Sequence, residues 1–229
     1  MDNFLKRKQD ILSKQDKSSK QSWDKKIVKL CEKINKSENY YTTSSCAGRI
    51  VLIIDDKRRE NVFLQVYHDL IKFKELKNDL GRISFSHPPP LKLLAHSCSR
   101  INNTDKGKSV VNESLVEKFN EINFEAINSR VIRGQMIKFK QEPPILHVAC
   151  RTLEDAQKLV DKARLSGWKR SGIIITGKRF VVELMSTEKL EFLIMNNNRL
   201  LVNNEFLELI VKKSNDNLKE GWGKIDRLT

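Results

Sequence analysis

Apolar positions along the chain follow two different periods, and the change between them marks the elements. Ile27, Leu30, Cys31 and Ile34 recur at helical spacing with lysines on the other face, which predicts an amphipathic helix starting at Asp24. Upstream, Phe4, Leu5, Ile11 and Leu12 form a thin apolar stripe, and Lys6 to Lys20 is basic and serine-containing, a docking helix followed by a loop. Arg49 to Ile54 is an apolar run of strand length. Val62, Leu64 and Val66 alternate as in a second strand, although Val66 to Leu76 fits a helix equally well. Arg82 to His87 reads as a short strand stopped by Pro88-Pro89-Pro90. Ala95 to Val110 is polar and reads as a loop, and Leu115, Phe119 and Ile122 suggest a helix after it.

The C-terminal part is patterned more sharply. Met136 to Phe139 and Ile145 to Cys150 read as strands flanking Pro143-Pro144. Thr152, with Asp155 three residues on, is a helix start, Ala156, Leu159, Val160 and Ala163 are the buried stripe, and Gly167 is the stop. Ile173 to Ile175 and Arg179 to Leu184 flank Thr176-Gly177-Lys178, a hairpin signature. Leu190 to Ile194 and Leu200 to Val202 are short strands around Asn196-Asn197-Asn198, and a last helix begins near Asn204. There is no internal repeat. Strands and helices in this mixture predict an α+β fold: a single compact domain over residues 1–229, a mixed β-sheet with flanking helices.

Composition narrows the partners. Forty-three basic residues against 29 acidic ones leave a net charge of +14, which attracts polyanions such as nucleic acid. An apolar content of 39% with 31% charged residues suits a soluble globular chain, and no apolar run approaches the ~20 residues of a membrane span. The first residues lack a signal-peptide core and mix lysine with Asp2 and Asp10, so a cytoplasmic location is expected. Cys31, Cys46, Cys98 and Cys150 make no Cys-x-x-Cys pair, and His68, His87, His96 and His147 make no helical ligand pair, so no metal site is expected. Cys31 and Cys150 read as core residues.

One stretch carries chemistry. Thr42-Thr43-Ser44-Ser45-Cys46-Ala47-Gly48-Arg49 sets four hydroxyls, a thiol and a guanidinium just before the Arg49 to Ile54 run. Hydroxyls do not fill a core unless each finds a partner. The run is therefore either a polar turn feeding a strand or the lining of a site. Gly48 permits close approach, and Arg49 offers a fork for a carboxylate or phosphate.

Three blocks in order carry a family resemblance: Asp16-Lys17-Ser18-Ser19-Lys20-Gln21-Ser22-Trp23-Asp24, the run through Ser44-Ser45-Cys46-Ala47-Gly48-Arg49, and Ile145 to Ala156 with Leu146-His147-Val148-Ala149-Cys150-Arg151 at its centre. Gly167 to Ile173 follows at the expected distance. Together they resemble the tRNA wybutosine-synthesizing protein 3 family. The resemblance covers the start to about Ile54 and most of the chain from Ile145 onward. It leaves a divergent region of about 55–135, where Gly81 to His87 stands in place of the family's glycine- and tryptophan-containing stretch. Ala47 replaces a serine of the family, and Ser19 and Gln21 replace a proline and a glycine.

The resemblance implies an S-adenosylmethionine-dependent tRNA N-methyltransferase. Its reaction is N4-methylation of the modified guanosine, 7-aminocarboxypropyl-demethylwyosine, at position 37 of tRNA-Phe in wybutosine biosynthesis. Its partner is the anticodon loop of tRNA-Phe, with no stable protein partner and at most transient contact with other wybutosine enzymes. The candidate catalytic residues on this reading are His87, His147 and Ser45. The candidate substrate- and donor-binding residues are Ser18, Lys20, Ser44, Ser45, Cys46, Gly48, Arg49, Arg151, Arg170, Ser171 and Gly172. No Gly-x-Gly-x-Gly loop is present, so a classical Rossmann methyltransferase is not expected. The charge and aromatic residues such as Tyr40, Tyr41, Trp168 and Trp222 serve a rival class equally well: a non-catalytic tRNA-binding accessory protein.

Overall fold

The protein is represented by a computed structural model that describes residues 2–14, 24–55, 62–84, 135–175 and 179–229. Among these the order is α1 (Asn3–Leu12), α2 (Val28–Lys36), β1 (Tyr40–Cys46), β2 (Arg49–Ile54), β3 (Val62–Tyr67), α3 (Phe73–Ser84), β4 (Met136–Glu142), β5 (Ile145–Cys150), α4 (Leu153–Leu165), β6 (Gly172–Ile175), β7 (Phe180–Met185), β8 (Leu190–Asn196), β9 (Arg199–Leu200) and α5 (Asn204–Leu228).

Three long chain segments dominate, and each bends midway so that its halves join different sheets. One sheet has the order β1-β5-β7-β6 and the other β3-β2-β4-β8-β9, with every pairing antiparallel. The bends fall together at Ala47-Gly48, Pro143-Pro144 and residues 186–189. Their cause is local. Two prolines in a row donate no ladder hydrogen bonds. Gly48 sits at φ +92°, and a Cβ there would lie 3.1 Å from both the Glu142 carbonyl oxygen and Leu218 Cδ2. The sheet therefore breaks along a line.

Helix α5 straddles that line. Its 25 residues span about 37 Å at the usual rise per residue. Leu207, Ile210, Val211 and Leu218 join the core beneath the second sheet, with Ile50, Leu52, Ile54, Phe139 and Ile194 and with Leu76, Leu80 and Ile83 of α3. Ile225 and Leu228 join the core beneath the first sheet. There Leu146, Val148, Val182 and Leu184 meet α2 and α4. At the crossing a Cβ on Gly221 would lie 2.7 Å from Pro144 Cδ, so the helix rests directly on the bend. The Trp222 indole N–H donates to the Ala47 carbonyl at 3.0 Å. Buried Lys224 of α5 pairs with Glu188 in the third bend, and Trp168 donates to the Lys224 carbonyl at 3.1 Å.

The α+β class is the one expected, but the β structure is two antiparallel sheets rather than one mixed sheet, for the reason just given. Strand β2 and the helices α2, α4 and α5 lie where their periods place them. The Thr152 hydroxyl accepts from the Asp155 N–H at 3.1 Å, a cap worth about 1 kcal/mol. Asn197 and Asn198 take positive φ, 48° and 61°, in the tight β8–β9 turn. Two readings fail. The polar run at Thr42 is a strand, β1, not a turn. Arg82 to Ser84 belongs to α3, because Leu76, Leu80 and Ile83 form one buried helical stripe that outweighs the local strand pattern. The loop at Ala95 to Val110, the helix at Leu115 to Ile122 and the turn at Thr176 to Lys178 lie outside the described residues.

Candidate active site

Strand β1 carries the polar run along the edge of the first sheet, and an irregularity decides where each hydroxyl goes. The register with β5 is Thr42↔Val148, then Ser44↔His147, with a shift between Thr42 and Ser44. Strict alternation after Tyr41 would turn Thr43 and Ser45 to the face away from the core. The bulge turns Ser44 there instead. Ser45 is left on the other side, where its hydroxyl hydrogen-bonds the buried Cys31 thiol of α2. Thr42 also points inward, with its N–H and hydroxyl on Asn35.

The outward row crosses the whole sheet. Ser44 Oγ lies 2.6 Å from His147 Nδ1, and His147 Nε2 lies 2.9 Å from Glu183 Oε2. In the β6–β7 register Glu183 stands opposite Gly172, and a Cβ on Gly172 would meet nothing within 4 Å. Four neighbouring strands thus contribute Ser44, His147, Glu183 and an open space. A carboxylate only accepts, so His147 Nε2 carries the proton that Glu183 receives. In the neutral ring Nδ1 is then the acceptor, and the Ser44 O–H donates to it. Ser44 is the exposed end of the array, and His147 and Glu183 are half-buried.

The next row toward α1 is closed. Tyr41, 1% exposed, faces Phe4 of α1 with ring centroids 5.1 Å apart. Its phenol is pushed up by burial, with Arg7 and Arg179 acting the other way. Helix α1 is held by the Lys8 ammonium on the Ser37 carbonyl at 2.5 Å and by an ion pair between Arg151 and Asp2. Arg151, a candidate binder, is thereby engaged at the N-terminus of α1.

On the other side lies the bend. Burial pushes the Cys46 thiol up to about 11; Arg49 acts against that and Asp24 with it. Such a thiol is a poor nucleophile at neutral pH. Asp24 accepts from the Ala47 N–H at 3.1 Å. The Arg49 Nε donates to Glu142 Oε2 at 2.5 Å, and its guanidinium lies 5.1 Å from the Phe63 ring. Gly48 is buried at the bend.

Of the remaining candidates, Ser171 is buried, donating to the Trp168 carbonyl at 2.7 Å and accepting from the Met185 N–H at 3.3 Å. Arg170 is exposed, and its backbone N–H donates to the Met185 carbonyl. Ser18, Lys20 and His87 lie outside the described residues. The structure therefore brings together Ser44, His147 and Gly172, sets Cys46, Gly48 and Arg49 beside them at the bend, and places Ser45, Ser171 and Arg151 in other contacts. Glu183 escaped the sequence reading. Its signal was a lone carboxylate between Val182 and Leu184 in an apolar strand, but its partner His147 is 36 residues away.

The geometry defines a class: an α+β protein on two bent antiparallel sheets, with a hydroxyl–imidazole–carboxylate row on the face opposite α2 and α4. The family model described as Methyltransferase TYW3 matches residues 6–229, and the chain belongs to that family. A Pyrococcus horikoshii tRNA(Phe) 7-((3-amino-3-carboxypropyl)-4-demethylwyosine(37)-N(4))-methyltransferase is 32% identical over 206 residues, covering 90% of this chain and 82% of that protein. The human tRNA wybutosine-synthesizing protein 3 homolog is 30% identical over 226 residues, covering 98% of this chain and 70% of that protein. A solved structure of the PH1069 protein from Pyrococcus horikoshii superposes with a TM-score of 0.69 at 28% identity, over 99% of this chain and 92% of that one.

Proposed function

We propose that this chain transfers a methyl group from S-adenosylmethionine to N4 of 7-aminocarboxypropyl-demethylwyosine at position 37 of tRNA-Phe. The observation that carries the reading is the Ser44–His147 pair, a hydroxyl 2.6 Å from an imidazole nitrogen, in a chain that matches a methyltransferase family almost from end to end. The donor supplies an electrophilic methyl on a positively charged sulfur. The chain has to hold donor and base at attack distance, exclude water and take up the proton of the ring nitrogen. His147, reached through an exposed hydroxyl, supplies a proton acceptor.

The polar groups near the row fit the donor's charges. The guanidinium groups of Arg7 and Arg179, which act on Tyr41 beside the row, suit its carboxylate, and the hydroxyl of Thr43 suits its ribose. Beside Gly172 a Cβ would meet nothing within 4 Å among the described residues, which suits a flat base. The excess of basic residues supplies phosphate contacts along the anticodon stem and loop. Among the described residues no helix is long and apolar enough to cross a membrane. A tRNA substrate fits a reaction in the cytoplasm. The test is incubation with S-adenosylmethionine and tRNA-Phe that carries the unmethylated base, followed by mass spectrometry of the nucleosides. Gain of one methyl group on the target base supports the reading. Tight tRNA binding without methyl gain would leave a non-catalytic RNA-binding protein.

A further inference from the structure

Resting on the methyl-transfer reading, we infer that Ser44, not His147, is the group that meets the acceptor's ring N–H, and that Glu183 is the positioning residue that makes the relay directional. Three observations carry this. His147 has both ring nitrogens occupied, by Ser44 at 2.6 Å and by Glu183 at 2.9 Å, so neither faces a ligand directly. Its side chain is only 19% exposed, whereas Ser44 stands at the exposed end of the row. The bulge in β1 gives Ser44 this place in preference to Thr43 or Ser45.

The step balances without an outside reagent. The ring nitrogen forms its bond to the methyl carbon as the carbon–sulfur bond breaks, and the electron pair stays on sulfur, which becomes a neutral thioether. The proton of the ring nitrogen passes to Ser44 Oγ while the hydroxyl proton of Ser44 passes to His147 Nδ1. The imidazolium that results is held against the Glu183 carboxylate and later yields a proton to water. Glu183 does two things: it fixes the proton on Nε2, and it favours the charged ring once the proton has arrived. Among the described residues the titratable and charged groups to one side of the row are Tyr41, with Arg7 of α1 and Arg179 acting on it. On the other they are Cys46 with Arg49 and Asp24.

The test compares Ser44→Ala, Ser44→Thr and Glu183→Gln in methyl transfer to tRNA-Phe, together with ¹⁵N NMR of His147 in the unliganded protein. Ser44→Ala is expected to lower kcat on the order of 100-fold, as loss of acid–base catalysis does, with both KM values and the melting temperature nearly unchanged. Ser44→Thr restores most of the rate. Glu183→Gln lowers kcat about tenfold with both KM values nearly unchanged and moves the ¹⁵N signals of His147, a signature that a purely structural carboxylate would not give. His147 shows its proton on Nε2, and the Nδ1 signal moves in Ser44→Ala. A proton on Nδ1, or full kcat in Ser44→Ala, overturns the relay in an enzyme that still methylates. A wild-type protein that transfers no methyl overturns the functional reading and the relay with it, whatever the NMR spectrum shows.

Discussion

The bent strands carry polar side chains on the same face to either side of the bend, and the two groups differ in kind. Toward β5 and β7 the groups are Ser44, His147 and Glu183, each able to give or take a proton. Toward β2 and β4 they form a ladder of fixed charges. Arg49 and Lys140 both hold Glu142, at 2.5 and 2.7 Å, and Lys138 spans Asp55 and Glu191, at 2.9 and 3.6 Å. Burial alone would raise the Glu142 carboxyl, but Arg49 and Lys140 outweigh it and hold it below the usual range. A ladder of permanent ions resists change of protonation and locks strands in register. A hydroxyl on an imidazole does the reverse. Chemistry is therefore expected on the first sheet and rigidity on the second, although the resemblance singled out Arg49 and Ser44 alike.

The largest expected effect is at the bend that joins the two regions. Gly48→Ala forces a side chain into left-handed backbone against the Glu142 carbonyl, costing roughly 3 kcal/mol, or a fall of about 6–12 °C in melting temperature. An unchanged melting temperature would mean that the bend tolerates a shift and that the regions are not rigidly coupled.

Acid should act at the same place. Glu188, in the third bend, would be raised by burial, yet Lys224, Ser186 and Thr187 bring it down to about 2. A carboxyl depressed on folding adds stability above its unfolded value, and that stability is lost as pH falls through the folded value. The window runs from about pH 5 to pH 2, and the contribution is roughly 3 kcal/mol. Urea midpoints across that range check it. Lys224→Met should flatten the dependence; an unaltered slope would assign the acid sensitivity to other carboxylates.

Removing the shared carboxylate of the ladder, in Glu142→Ala, leaves two cations half-buried and should cost about 2 kcal/mol in calorimetry. Ser44→Ala, its counterpart across the bend, should leave the melting temperature nearly in place. Equal losses from the two variants would erase the contrast. The smallest effect is at the open end of the row. Gly172→Leu adds a side chain where a Cβ meets nothing within 4 Å among the described residues, so the KM for tRNA or donor should rise several-fold, worth about 1 kcal/mol, with stability retained. No change in either KM would move the ligand elsewhere.

Much of this was written in local pattern. The helical stripes at Leu30–Ile34 and Ala156–Ala163, the cap at Thr152 and the apolar run of β2 report periods and turn chemistry that neighbours in sequence decide, and they survive folding unchanged. The polar run of β1 was legible as unusual but not as a strand. Its strand character comes from pairing with β5, about 100 residues away in the chain, and no local propensity encodes that partner. Arg82 to Ser84 shows the same effect in reverse, a strand-like triplet drawn into α3 because Ile83 completes a buried stripe.

By itself the sequence determined the α+β class, the basic balance, the positions of most helices and the blocks that mark the family, since composition and periodicity are properties of the chain before it folds. Only the tertiary structure decided which hydroxyl meets which imidazole. A side chain's face on a strand has a period of two, so one bulged residue between Thr42 and Ser44 exchanges the roles of Ser44 and Ser45. Glu183 became part of the row because the β5–β7 register sets it opposite His147, and register is an outcome of packing both sheets under one long helix.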